Sequence, residues 1–114
     1  MLTREQIFGC ADIVTETVEV PEWGGEVRVR SITAGEREEW ESRIYPGDGK
    51  LRANFARAAL VCLAAVDEKG NRVFTMDDAA SLATKSAAAV ERIYRVARRL
   101  SFLDEADVED VAKN

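Results

Sequence analysis

A mainly helical α+β domain, with one β-hairpin packed on about five helices, is the fold class this chain predicts. Three observations predict it. First, Val18 and Val20 alternate with Thr17 and Glu19, and Val27 and Val29 alternate with Arg28 and Arg30. A period of two is the mark of a half-buried strand, and it occurs twice in close succession. Second, Pro21-Glu22-Trp23-Gly24-Gly25-Glu26 separates the two runs. Proline cannot donate to a ladder and glycine takes positive φ, so the chain reverses there. Third, apolar residues elsewhere recur mostly at helical spacing. A lone hairpin is marginal in water, and those helices can cover its valine face.

The elements follow in order. Thr3 caps a short amino-terminal helix, with Gln6 completing a capping box and Leu2 placed to staple against Ile7. That helix should end near Cys10 or Asp12. In the hairpin, Val20 is set to face Val27, Val18 to face Val29, and Glu19 to meet Arg28. A one-residue slip would put valines opposite arginines and is rejected, whereas a two-residue slip keeps the faces and stays open. Thr33-Ala34-Gly35-Glu36 opens the next helix, to about Ile44 or Tyr45, with Trp40 and Ile44 on its inner face. Pro46-Gly47-Asp48-Gly49 stops it.

Lys50 to Val66 is the most apolar helix candidate, with Leu51, Phe55, Ala59, Cys62 and Val66 at 3.6-residue spacing. So broad a stripe belongs to a central core helix. Asp67 to Asn71 is a turn, Arg72-Val73-Phe74 is extended, and Thr75 caps a short helix that carries Asp77 and Asp78 at its positive end. Thr84 or Ser86 starts a long helix to about Leu100, striped by Val90, Ile93, Ala97 and Leu100. Asp104 opens a last short helix, where Val108 and Val111 give one apolar face. No repeat, low-complexity stretch or linker interrupts the 114 residues, which make a single domain, 1–114.

Composition narrows the chemistry. The chain has no histidine, which removes the commonest general base and metal ligand. Cys10 and Cys62 match no zinc or redox spacing and read as plain thiols in a reducing compartment. Gly47-Asp48-Gly49-Lys50 lacks the hydroxyl residue and the preceding strand of a phosphate loop. Asp67 to Asn71 lacks calcium-loop spacing. No catalytic, cofactor or metal site is expected, and no enzyme. The longest apolar run, Ala58 to Val66, is too short to span a bilayer, and charges break up the amino terminus, so a cytosolic protein without a membrane partner is expected.

Two features point to interaction. Residues 85–100 carry five basic side chains against Glu91, while residues 101–114 carry five acids against Lys113. Such neighbours can pair internally or between subunits, or remain solvated faces. Arg92, Arg95 and Arg99 share one helix side, which keeps a small helical DNA-binding regulator, using the basic face of 86–100, as the alternative reading. The net charge of −5 argues against nucleic acid as a partner. The second feature is Trp23 at the hairpin tip, which either plugs the core or anchors a partner.

The hairpin TVEVPEWGGEVRVR, the capping Thr33-Ala34-Gly35-Glu36-Arg37, VDEKGNRVF, KSAAAVERIYRVARRL and the closing DVEDVAKN stand in one order. Together they resemble the tail assembly chaperones of long, flexible-tailed bacteriophages, over nearly the whole chain. The resemblance implies a chaperone that binds the tape measure protein and keeps it soluble in the host bacterial cytoplasm. Tail tube protein then assembles around the client, and the chaperone is absent from the mature virion. It also implies a longer form made by ribosomal frameshifting, whose extension recruits tail tube protein; Lys113-Asn114 suits an A-rich slippery site. Reversible holding of a long client favours many weak contacts, hence a homo-oligomer. The candidate partner-binding residues are Trp23, Phe102, Leu103, Val108 and Val111.

Overall fold

The computed structural model describes residues 1–44 and 55–103. Predicted features at Tyr45 to Asn54, among them the Pro46–Gly49 stop, Lys50 and Leu51, lie outside the described residues. So does the last helix with Val108 and Val111.

The described elements are α1 (Arg4–Phe8), β1 (Thr15–Val20), β2 (Gly25–Arg30), α2 (Ala34–Ile44), α3 (Ala56–Ala64), β3 (Ala65–Val66), α4 (Ala79–Leu82) and α5 (Ala87–Leu100). They form the expected mainly helical α+β fold, but the sheet has three antiparallel strands in the order β1-β2-β3. α5 packs on both hairpin strands and on α3, and α2 closes over α3. Val18, Val20 and Val29 from the sheet meet Leu60, Leu63, Ile93 and Tyr94 from the helices in one core.

The hairpin register is the two-residue slip. Val18 pairs with Val27, Val20 with Gly25, and Glu19 with Glu26. The turn explains this. Pro21–Trp23 form one turn of 3-10 helix, and Gly24 closes it at φ 71° with its N–H donating to the Pro21 carbonyl. Of the two turn glycines only Gly24 takes the left-handed conformation; Gly25 already stands in β2. The loop is therefore four residues long, and the faces are preserved because the slip is even. Glu19 and Glu26 face each other in solvent, where like charges cost little. An Ala at Gly24 would meet nothing within 4 Å, so its cost is backbone strain alone. Gly24→Ala should destabilise by about 1–2 kcal/mol in urea unfolding, and Gly25→Ala should stay close to wild type.

The central helix departs from the expectation at its end. It stops at Ala64, where Ala65 turns extended (φ −75°, ψ 123°), and Ala65–Val66 pair with Val29 and Arg28. Val66 is thus a strand residue, and it bridges Arg72 across the Asp67–Asn71 turn. An unbroken apolar run hides such a change, because helix and strand bury it equally well.

Capping chemistry behaves as read. Thr3 with Gln6 and Thr33 with Glu36 each form both halves of a capping box. The Thr75 box is completed by Asp78, and the Ser86 hydroxyl caps α5 by accepting from the Ala89 N–H. α1 is shorter than expected, ending at Phe8, and it buries nothing. Leu2 and Ile7, expected to staple together, are both exposed. The helices that pack on the sheet layer therefore exclude α1.

Candidate functional site: two apolar surfaces

The first surface surrounds the carboxyl end of α5. Ser101 caps the helix, the Phe102 N–H donates to the Arg99 carbonyl, and the Leu103 N–H donates to the Arg98 carbonyl. This is the Schellman arrangement, whose left-handed position is normally a glycine. Here it is Phe102, at φ 56°, the sole non-glycine with positive φ among the described residues. The reversal drives two apolar neighbours in opposite directions. Leu103 enters the core with 2% exposure, and Phe102 stands out at 91%. Leu103, expected on a partner-binding surface, is buried in the core at the helix end. The sequence hid this, because two adjacent apolar residues after a helix look alike until the backbone is known.

Ile13 and Phe102 line one groove of about 340 Å³ together with Ile32 and Leu100. Its floor is fixed by two serine hydroxyls that accept from backbone N–H groups. The Ile32 N–H donates to the Ser101 hydroxyl at 3.0 Å, and the Val14 N–H donates to the Ser31 hydroxyl at 3.0 Å. The sheet end, the α2 start and the α5 end are thus held as one unit beneath Phe102.

The second surface is a groove of about 570 Å³ beside the hairpin tip, lined by Trp23, Val27, Val73 and Phe74. Trp23 does not plug the core. It is 37% exposed and forms one wall. Val73 on the other side is exposed as well, and Glu26, Asp67 and Glu68 stand on the rim.

The basic face of α5 is occupied. Arg92 donates to Glu22 at 2.9 Å, Arg99 to Glu16 at 2.6 Å, and Arg95 to Glu91 at 3.2 Å. The bond from Arg92 lowers the Glu22 carboxyl below its ordinary value. Arg57 and Arg98 flank the Tyr94 ring. Arg92 and Arg99 fasten the helix to the hairpin, and Arg95 pairs within the helix, so the face is not a bare strip for phosphates. α4, with four residues, is also too short for the first helix of a DNA-reading pair.

Reactive chemistry is sparse. Among the described residues no three metal-ligating side chains come together. Both cysteines are free; Cys10 is exposed, and burial raises the Cys62 thiol to about 11. No described helix is long and apolar enough to cross a membrane.

What fold and surface define is a small mixed α+β chain with shallow grooves beside two exposed aromatic side chains, Phe102 and Trp23. The chain belongs to the phage tail assembly chaperone family, whose model matches residues 10–114. The solved structure of the bacteriophage HK97 tail assembly chaperone is similar in fold, with a TM-score of 0.63 at 23% identity, over 80% of this chain and 84% of that one. No curated protein matches the chain.

Proposed function

We propose that the protein binds the tape measure protein, keeps it soluble in the host bacterial cytoplasm, and yields it as tail tube protein assembles. In this reading it performs no catalysis, is absent from the mature virion and works as a homo-oligomer. A longer frameshifted form recruits tail tube protein. Membership of the tail assembly chaperone family carries the reading. A long helical client with an open apolar face aggregates unless covered, and shallow apolar grooves suit that task.

The residues proposed for the client are Phe102 and, in the segment 104–114, Val108 and Val111. A bulky residue held left-handed costs about 1–2 kcal/mol. Such strain is kept where the side chain is wanted outside. Phe102→Gly separates stability from function: it should keep or slightly raise the unfolding midpoint, because glycine fits φ 56°. It should also weaken client binding by roughly 10- to 100-fold, the worth of one buried aromatic side chain. The measurement is the soluble fraction of a co-expressed tape measure fragment, with chaperone lacking 104–114 as a second arm. Equal client solubility with and without the chaperone would end the proposal, and full activity of both variants would end the choice of surface. A salt-dependent shift of DNA would favour the regulator reading instead.

A further inference from the structure

We infer that the outer edge of β1 takes up an extended, basic segment of another polypeptide as a fourth strand, with a lysine or arginine opposite Glu19. The inference goes beyond the client reading above and stands or falls without it.

The hairpin register decides which backbone groups are already paired. Antiparallel neighbours exchange hydrogen bonds at every second pair. The Ser31 N–H donates to the Val14 carbonyl at 2.8 Å, so this pair is a bonded one. The same ladder continues in steps of two, with Glu16 opposite Val29, Val18 opposite Val27 and Val20 opposite Gly25. Glu16, Val18 and Val20 therefore turn their N–H and C=O groups to β2. Thr15, Thr17 and Glu19 turn theirs away from the sheet.

This side of the sheet stands open. β1 is the first strand in the order β1-β2-β3, and Thr15, Thr17 and Glu19 are all exposed. The opposite edge differs, because Val66 in β3 is bridged to Arg72. β1 also lacks the proline or bulge that would turn a newcomer away.

Charge selects the occupant. β1 carries Glu16 and Glu19 and no basic residue. Two copies of β1 paired together would set four carboxylates on one ladder, which disfavours a second copy of this strand. Glu16 and Glu22 are matched by Arg99 and Arg92. Glu19 faces Glu26 across the hairpin, and among the described residues neither has a basic partner. Arg28, next on that face, donates instead to the Glu68 carbonyl at 3.1 Å. A fourth strand places one side chain beside Glu19 in its row with Glu26, and a cation there offsets both carboxylates. Main-chain bonds supply the affinity of such an added strand, and this row supplies its selectivity.

The probe is a short end-capped peptide with lysine and threonine alternating on one face and valine on the other. Its twin carries glutamate in place of lysine. Full-length protein labelled with nitrogen-15 is followed by amide hydrogen exchange at low ionic strength, where exposed charges are least screened. With saturating basic peptide, exchange at Thr15, Thr17 and Glu19 should slow by about 10-fold, while Glu16, Val18 and Val20, already bonded to β2, keep their rates. The acidic twin should leave all six unchanged. Glu19→Lys with Glu26→Lys, both on the solvent face, should reverse the preference by roughly 3- to 10-fold. Protection without this alternation, or no protection, overturns the inference. Equal protection by both peptides overturns the assigned chemistry. Protection that grows with protein concentration alone gives the edge to a second copy and overturns the choice of occupant.

Discussion

Trp40→Ala should cost about 3–5 kcal/mol, the largest single loss expected in this protein. Trp40 is buried against α3, and its indole N–H donates to the Ala56 carbonyl at 2.8 Å. It is the largest of the fully buried side chains, and α2 closes over α3 through it. Removing the ring leaves a cavity that the short helices cannot collapse into without dragging the sheet. Domains of this size have about 5–15 kcal/mol in total, so a large share of the variant should be unfolded near the wild-type midpoint. Trp40→Phe keeps much of the volume and loses the hydrogen bond, for about 1–3 kcal/mol. Urea unfolding followed by circular dichroism would rank the two. Equal stability of all three proteins would show that α2 does not depend on this contact.

The second large effect belongs to Glu36 and appears as acid sensitivity. Its carboxylate accepts from Arg30 through both terminal nitrogens, from Arg72 at 2.7 Å, and from the Thr33 N–H at 2.9 Å. Burial pushes this carboxyl upward, but the bonds from Arg30, Thr33 and Arg72 outweigh it and hold the group down at about 2, against an ordinary 4.5. The bond to Glu36 in turn raises the Arg30 guanidinium. In acid the unfolded chain therefore takes up this proton before the native one does. The contribution is complete above about pH 5 and vanishes as pH falls through about 2. At 1.36 kcal/mol per unit it approaches about 3 kcal/mol, reduced to about 2 by solvent screening at Arg72. Glu36→Gln retains a capping amide and loses the charge. Its deficit should be about 2 kcal/mol at pH 7 and close toward zero near pH 2. A deficit that stays constant with pH would place the stabilisation outside the charge network.

Glu36 also shows what the sequence could reveal. Its partnership with Thr33 spans three residues and is visible in any reading of the chain. Its bond to Arg72 spans 36 residues and exists only once β3 has turned the chain back beside β2. Local rules therefore found the helix starts at Thr3, Thr33 and Thr75 and the two faces of the hairpin, and narrowed the α5 start to Thr84 or Ser86, of which the structure takes Ser86. They left the hairpin register open because an even slip conserves faces, and Gly24 settled it through one backbone angle. The third strand was hidden within an apolar run. Of the two groove surfaces, Trp23 was legible as a large side chain at a turn. Phe102 was legible as apolar, but its opposition to Leu103 depends on a left-handed residue that no composition rule anticipates. Val73 and Phe74 were read only as an extended piece, since nothing in a linear chain sets them opposite Trp23.

The joint between α3 and β3 has a further consequence. Ala64 ends the helix and Ala65 is already in the sheet, so the seam has no slack. Sliding the helix by one turn, 5.4 Å, would tear Ala65 and Val66 from their partners on β2. The domain therefore cannot gape like jaws around a guest. Under the proposed function, a client would ride on the outside and leave without any unlocking of the interior.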